Sequence, residues 1–271
     1  MELFWTQVLD FARTISDRVG QQLIVDFGKL APSRKADGTL VTQADRWADQ
    51  EIREAIASTF PDHGALTEET EHYLPPQEWC WVVDPIDGTT NFTRGLPIWG
   101  ISLGLMYRGT PVFGFVYFPQ IQQSFHGYWY GDSGLTGPVG AYCNGEAIHT
   151  SPDFPSLNHL FNVCARSTEV MKQPLPCKVR MIGVASYSLL LVASGAALAA
   201  VEATPKIWDI AAAWAILQAA GGVFVPLEPG PIFPLEVGNN YGNRSFTCLA
   251  TSREELVPIF KPLVAFLNKN N

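Results

Sequence analysis

An acidic segment at residues 84–92 (DPIDGTTNF) directly follows an apolar run and limits the architectures open to this chain. Residues 79–83 are aromatic, β-branched or cysteine, which predicts a buried strand. Pro85 cannot donate to a strand ladder, so the strand is predicted to end where the carboxylates begin. We therefore expect Asp84 and Asp87 at the end of a buried strand, on irregular backbone.

The residues that follow predict an anion site. Backbone N–H groups of Gly88, Thr89 and Thr90 are expected to open a short helix, and the free donors at a helix N-terminus face anions. Carboxylate oxygens beside such a cradle are hard ligands of the kind that Mg²⁺ prefers. The segment thus favours a metal-assisted phosphate site.

The overall charge argues against one class of partner. The chain has 18 Lys and Arg residues against 26 Asp and Glu, a net charge of -8, so it lacks the basic surplus typical of nucleic-acid binders. An anionic substrate would need local cations, which a bound divalent metal supplies. With 271 residues, the chain can bury a large core as one unit or as two subdomains that share a cleft.

The cysteines and the N-terminus predict a cytoplasmic protein. The five cysteines are widely spaced and lack a C-x-x-C pair, which favours reduced thiols, and no histidine has zinc-ligand spacing to them. Glu2 stands where a secretory signal would carry a basic residue, so no export signal is expected. The nearly uncharged residues 186–203 are interrupted by serines and Gly195, which favours a buried helix and strand over a membrane span.

Hydrophobic periodicity predicts two helices ahead of the first strands. One covers residues 2–28, and Thr42 is expected to cap a second that runs toward Phe60. Residues 98–107 and 112–117 then predict a hairpin of long strands and hence an antiparallel sheet.

The second half alternates strands and helices, which predicts an α/β layer packed on the antiparallel one. The expected fold class is therefore layered α/β, divided into residues 1–150 and 151–271 with the cleft of one catalytic unit between them. The elements predicted in the second half are strands near 160–163, ending near 202, at 223–225 and at 245–250, and helices from about 185, at 210–220 and at 253–267.

Two further acidic positions complete the candidate site if the fold brings them to Asp84. Glu68 precedes the predicted strand at 79–83, and Asp209 begins the predicted helix at 210–220. Taken alone, Asp209 is a first-turn helix acid and Glu68 is a solvated loop acid.

Three stretches of the chain resemble the inositol monophosphatase family. Residues 81–92 resemble its signature W-V-x-D-P-[IL]-D-G-T-T-N-F, and residues 208–222 resemble its second signature, W-D-x-A-A followed by A-G-G. Residues 35–45 resemble its N-terminal K-x-D-G and V-T-x-x-D stretch, so the likeness covers nearly the whole chain. The resemblance implies a layered αβαβα sandwich.

The resemblance also implies a metal-binding role for four acids and one carbonyl. Four clustered carboxylates raise one another's pKa, and bound Mg²⁺ ions, two or three per site, would remove that repulsion. Two ions about 4 Å apart can stabilise both the attacking and the leaving oxygen of an in-line displacement. The implied ligands are Glu68, Asp84, Asp87, Asp209 and the carbonyl of Ile86.

Catalytic roles follow from the same likeness. Asp84 would bridge the metals, Glu68 and Thr89 would orient the attacking water, and the N–H groups of Gly88 and Thr89 would hold phosphate oxygens. Lys35 and Asp45 match positions near the metals, where they would tune the site. A loop charge and a first-turn helix acid are the competing interpretations for these two residues.

Substrate contacts are where the chain departs from the family. Ala185 and Glu202 match positions that contact the alcohol part of the substrate, and Asp87, Gly88, Thr89 and Asp209 complete the implied substrate-binding set. However, Thr67 replaces a usual glycine, Lys206 and Ile207 replace a His-Cys pair, and residues 95–100 are similar to relatives that hydrolyse histidinol phosphate.

The function implied is Mg²⁺-dependent hydrolysis of a small phosphate monoester, with inositol monophosphate first. The alternatives are histidinol phosphate, fructose 1,6-bisphosphate and 3'-phosphoadenosine 5'-phosphate, or a noncatalytic metal- and phosphate-binding regulator. The regulator is disfavoured because the chain retains every metal-site acid and Thr89. The family parallel further implies lithium inhibition and a homodimer, with no nucleic-acid or membrane partner.

Overall fold

The secondary structure comprises six helices and fourteen strands within residues 2–35, 40–169 and 175–264, the ranges that the computed structural model describes. The helices are α1 (Glu2–Asp26), α2 (Gln43–Thr59), α3 (Thr89–Arg94), α4 (Ala185–Ala193), α5 (Ile207–Ala219) and α6 (Val257–Phe260). The strands are β1 (Ser33–Arg34), β2 (Leu40–Val41), β3 (Gly64–Thr67), β4 (Trp79–Asp87), β5 (Gly100–Tyr107), β6 (Thr110–Phe118), β7 (Gln123–Tyr128), β8 (Gly140–Cys143), β9 (Glu146–Ile148), β10 (Leu160–Val163), β11 (Lys178–Met181), β12 (Ala199–Glu202), β13 (Val223–Pro226) and β14 (Cys248–Thr251).

The larger sheet contains β3 to β9 in chain order. Its β3 and β4 are parallel, and every later neighbour pair is antiparallel, as the predicted hairpin required. Alternate residues of β4 enter different cores: Trp81 and Val83 pack with α1 and α2, whereas Cys80 and Val82 pack with α4 and α5. A strand covered on both faces is apolar along its length, which explains the run before the acids.

The smaller sheet has the order β11-β10-β12-β14-β13 and lies beyond α4 and α5. On its far face, Phe161 and Val201 pack with Leu256 and Phe260 of the C-terminal helical segment. The layers therefore run helix, sheet, helix, sheet, helix, which confirms the αβαβα fold class. Residues 186–203 cover most of α4, the turn that follows it and β12, and within the described ranges no helix is both long enough and apolar enough to cross a membrane.

Helix α5 rests directly on the larger sheet because three glycines leave room for it. Gly104, Gly114 and Gly127 are cross-strand neighbours on β5, β6 and β7. A Cβ at Gly114 would overlap the carbonyl oxygen of Ala212, and one at Gly104 would lie 3.0 Å from the Ala212 nitrogen. We call these three residues the glycine stripe. The glycine stripe lets α5, from the second half of the chain, cover the sheet of the first half. The two halves therefore share one core, and the division at residue 150 stays a prediction.

Two predicted elements differ from the structure. Strand β4 continues through Pro85 to Asp87, with its register to β5 shifted between Asp84 and Asp87. The predicted helix at 253–267 is wrong over most of its described length: α6 is one short turn, flanked by 3-10 turns. Pro262 explains the break, because proline lacks an N–H and its ring clashes with the carbonyl four residues earlier. Residues 265–267 lie outside the described ranges.

Smaller differences concern element ends and weakly patterned strands. The first helix ends at Asp26, before the Gly28 expected to end it, and the strand predicted from residue 245 begins at Cys248. Strands β3 and β11 were not predicted, because neither is rich in β-branched and aromatic residues: β3 reads Gly-Ala-Leu-Thr, and β11 is exposed along its length with two basic residues.

The close packing of α5 on the glycine stripe predicts that a side chain added to the stripe destabilises the fold. We expect Gly114→Ala to lower the free energy of unfolding by about 1–3 kcal/mol or more, because α5 must move away from the sheet. Chemical denaturation monitored by circular dichroism measures the change. Gly134→Asn is the control, since Gly134 has no neighbour within 4 Å of a would-be Cβ and Asn tolerates its positive φ. Equal stability of the two variants would contradict the packing argument.

Candidate active site

Three carboxylates from distant parts of the chain converge between the sheet and α5. Asp84 and Asp87 lie at the end of β4, and Asp209 lies in the first turn of α5. One carboxylate oxygen from each lies within 4.8 Å of the others. We call Asp84, Asp87 and Asp209 the acidic triad.

The register of the sheet positions this triad. Asp84 is paired with Ser102 of β5, and the Ser102 hydroxyl donates to the Trp208 carbonyl at 3.3 Å. Asp209 also caps its own helix, because its Oδ2 accepts from the Lys206 N–H at 2.7 Å. The strand pair that holds Asp84 therefore also holds the N-terminus of α5. Sequence reasoning missed Ser102, since serine in a strand carries no distinctive signal.

Burial and mutual repulsion dominate the electrostatics of the triad. Burial, and then the charges of Glu68, Asp87 and Asp209, raise the pKa of Asp84 well above its usual range. Burial and the charges of Asp87 and Glu68 do the same to the pKa of Asp209. Burial raises the pKa of Asp87 to about 6, although hydrogen bonds from Ser186 oppose the shift. Hard oxygens that repel one another in this way fit a divalent cation.

Glu68 lies beside the triad and is paired with the ammonium group of Lys35. It directly follows β3, and its N–H donates to the Val83 carbonyl at 3.1 Å. Its Oε1 lies 2.8 Å from the Lys35 Nζ, which also lies 2.6 Å from the Glu69 Oε1. Burial would lower the pKa of Lys35, but the charge of Glu68 and its bonds to both glutamates outweigh burial and raise it. The structure thus pairs Glu68 with Lys35, and Glu68 also interacts with Asp84 without joining the three acids whose oxygens all lie within 4.8 Å of one another.

Thr89 contacts Asp45, a pairing that the sequence did not reveal. The Thr89 hydroxyl lies 3.1 Å from the Asp45 Oδ1 and 3.1 Å from the Ile86 carbonyl, at the start of α3. The other carboxylate oxygen of Asp45 accepts from the N–H and the hydroxyl of Thr42, the residue that caps α2. Burial raises the pKa of Asp45, against these bonds from Thr42. Asp45 is therefore both a first-turn helix acid and a neighbour of Thr89.

Gly88 shapes the turn between the strand and α3. Its φ of 92° lies in the left-handed region, and a Cβ there would come within 2.7 Å of a Val184 methyl. Glycine avoids both problems, which explains its place directly after Asp87.

The residues expected to contact the alcohol part of a substrate lie around α4. Ala185 begins the helix, and the N–H of Ser186 donates to the Asp87 Oδ2 at 2.8 Å. Glu202 ends β12 and is buried, and its Oε1 has no hydrogen-bond partner among the described residues. Burial raises the pKa of Glu202 to about 7, although bonds from Ser188 and Cys164 oppose the shift. An unpartnered buried carboxylate oxygen is free to accept from a ligand.

Comparisons with known proteins agree with this geometry. A model of the inositol monophosphatase family matches residues 5–258. A fructose-1,6-bisphosphatase/inositol-1-monophosphatase of Aquifex aeolicus is 32% identical over 85% of this chain and 90% of that protein. A histidinol-phosphatase of Chlorobaculum parvum is 30% identical over 80% of this chain and 85% of that protein. Among solved structures, the IMPase of Thermotoga maritima matches with a TM-score of 0.76 and 26% identity over 94% of this chain and 97% of that one.

The repulsion within the triad predicts an unusual gain in stability. In EDTA at pH 7, we expect Asp84→Asn to raise the melting temperature, because the amide removes one repelling charge and keeps the oxygen that accepts the Ile86 N–H. A carboxyl whose pKa is raised by folding loses stability as pH rises from its unfolded pKa of about 3.9. The gain should therefore vanish near pH 4. Thermal melts monitored by circular dichroism at both pH values test this expectation.

With added Mg²⁺, the wild type should have a higher melting temperature than Asp84→Asn, which reverses the order expected in EDTA. A ligand that binds only the folded state raises the melting temperature, so the wild type should gain from Mg²⁺ and Asp84→Asn should gain less. Asp132→Asn, at an exposed aspartate, serves as the control and should match the wild type throughout. A lower melting temperature for Asp84→Asn in EDTA at pH 7 would show that the repulsion argument is wrong.

Proposed function

Because the chain belongs to the inositol monophosphatase family of phosphoric monoester hydrolases, we propose that it is a Mg²⁺-dependent phosphatase of a small phosphorylated alcohol, with inositol monophosphate the first candidate. The observation that carries the proposal is the acidic triad beside the Thr89–Asp45 pair. Carboxylates alone would repel a phosphate ester, so a site built from them requires metal.

The triad, Glu68 and the Ile86 carbonyl would hold the metal ions. When bound, Mg²⁺ neutralises phosphate charge and stabilises the attacking and leaving oxygens. Asp84 would serve as a metal ligand together with Glu68 and together with Asp87 and Asp209. Lys35 balances part of the charge on Glu68, which limits the repulsion that this acid adds.

Thr89 and Asp45 supply a route for a proton. The Thr89 hydroxyl donates toward the Asp45 Oδ1, so its lone pairs are free to accept from a water placed beside Glu68. A proton lost by the attacking water then has an acceptor within two hydrogen bonds. The raised pKa of Asp45 suits that task, because a carboxylate with a pKa nearer neutral is a better general base.

Glu202 supports a substrate that offers hydrogen-bond donors beyond its phosphate. A polyol such as inositol presents several hydroxyls that can donate to the Glu202 Oε1. Histidinol phosphate is the second candidate: its ammonium group would also suit a buried carboxylate, and one relative carries the name histidinol-phosphatase. The name of another relative keeps fructose 1,6-bisphosphate among the substrates to be tested.

We extend the proposal to the properties that the family likeness implies. These are two or three Mg²⁺ ions per site, inhibition by lithium, a homodimer and a cytoplasmic location. Magnesium titration, lithium inhibition curves and sedimentation velocity test the first three directly, and microscopy of a tagged protein tests the fourth.

Phosphate release from a panel of substrates tests the function. We expect Mg²⁺-dependent release from inositol 1-phosphate to exceed release from histidinol phosphate, fructose 1,6-bisphosphate and 3'-phosphoadenosine 5'-phosphate. Asp84→Asn should reduce release to background, whereas Asp132→Asn should match the wild type. Undiminished turnover by Asp84→Asn would overturn the metal assignment. Failure of the wild type on every substrate would favour a noncatalytic regulator.

A second kinetic prediction concerns the proton route. Thr89→Val keeps the side-chain volume but removes the hydroxyl, and we expect kcat to fall about 10²- to 10⁴-fold, the usual worth of proton transfer, with little change in KM. Thr93→Val is the matched control in the same helix, because the Thr93 hydroxyl bonds only the Thr90 carbonyl among its recorded partners. A loss confined to KM would argue that Thr89 only binds substrate.

A further inference from the structure

His72 connects the two chain segments that carry Glu68 and Asp209, although it belongs to none of the family's motifs. Its Nε2 lies 2.8 Å from the Glu68 carbonyl oxygen. A carbonyl oxygen only accepts, so Nε2 carries the proton and donates. The Glu68 N–H donates to the Val83 carbonyl. Hydrogen bonds therefore fix the backbone of Glu68 on both sides, and His72 supplies one of them.

The imidazole ring of His72 is itself held in place by two neighbours. It stacks on the Trp208 ring with 5.4 Å between centroids and 27° between planes, and Trp208 directly precedes Asp209. At the ring's Nδ1, a Cβ on Gly242 would approach within 2.6 Å, so the backbone of Gly242 already lies against the ring. The ring thus has little freedom to turn away from Glu68.

Lys206 connects Gly242 back to the start of α5. Its Nζ donates to the Gly242 carbonyl at 3.0 Å, and its N–H donates to the Asp209 Oδ2 at 2.7 Å. The Tyr241 N–H donates to the His72 carbonyl at 2.8 Å, which joins the same two segments again. A continuous chain of contacts therefore runs from Asp209 through Lys206, Gly242 and His72 to Glu68.

We propose that His72 is a positioning residue of the metal site, which sets the location of Glu68 relative to Asp209. The inference rests on the proposed function, because it assumes that these two acids hold metal. Lys206 and Gly242 hold the His72 ring in place. Lys206 stands where the family resemblance predicts histidine, and this support gives it a structural role. Metal ligands held by a hydrogen-bonded outer layer bind metal more tightly, since less order is lost on binding.

Two substitutions separate the hydrogen bond from the packing. His72→Gln keeps an N–H donor at a similar reach, whereas His72→Phe keeps an aromatic ring on Trp208 and removes the donor. Loss of such a partner typically weakens metal binding about 10- to 100-fold, so we expect that loss in His72→Phe and a change below about threefold in His72→Gln. Isothermal titration calorimetry with Mg²⁺ measures the binding affinity of each variant independently of turnover.

Controls separate this effect from general damage to the fold. The half-exposed His159 contacts Ser156 and Asp153, and His159→Gln and His159→Phe should both bind Mg²⁺ as the wild type does. Gly242→Ala should weaken Mg²⁺ binding with His72 intact, because the new methyl group displaces the ring. Melting temperatures identify any variant that is partly unfolded.

The outcomes distinguish this inference from the proposed function. Wild-type Mg²⁺ affinity in both His72→Phe and Gly242→Ala overturns the positioning role and leaves the proposed function intact. Equal weakening by His72→Gln and His72→Phe shows that packing, not the hydrogen bond, matters and also overturns it. No Mg²⁺ uptake by the wild type overturns the proposed function and this inference together.

Discussion

Close contact between α5 and the glycine stripe determines where every other part of the candidate site can lie. Asp209 belongs to a helix of the second half, and Asp84 belongs to a strand of the first. Their carboxylates meet only because the backbone of Ala212 approaches Gly104 and Gly114 without intervening side chains. The Ser102 bond to the Trp208 carbonyl then sets the helix along its axis. Packing at a distance from the acids thus decides their separation.

Burial and mutual repulsion make the ionised carboxylates of this site unfavourable. Neighbouring residues stabilise some of these carboxylates more than others. Lys35 partners Glu68 and Glu69, and the Ser186 N–H partners Asp87. Asp84 accepts from the Ile86 N–H but has no cationic partner among the recorded ion pairs of the described residues, and burial, with repulsion from three acids, raises its pKa. This imbalance is what a metal site should show, because full neutralisation by protein groups would leave no affinity for a cation. Strain of this kind at functional sites is commonly offset by stability elsewhere in the fold.

Sequence reasoning was most successful where a local pattern carries the physical cause. The apolar run before Asp84 predicted a buried strand, and the helical periods predicted α1, α2 and α5 within a few residues. It failed for the C-terminal helix, where the helical period suggested more length than Pro262 allows. The contacts Thr89–Asp45, Lys35–Glu68 and His72–Glu68 could not be predicted, because each joins residues whose own neighbours give no sign of a partner.

The amino-acid sequence alone determined the family, the layered fold class and the acids available for chemistry, because motif spacing and hydrophobic period are local properties of the chain. Only the tertiary structure decided which acids form the closest group, that Glu68 is paired with Lys35, and that Glu202 keeps an unpartnered oxygen. These facts depend on distances of a few ångströms between residues up to 125 positions apart, such as Asp84 and Asp209. Such distances are set by how layers pack, and packing is a property of the whole core.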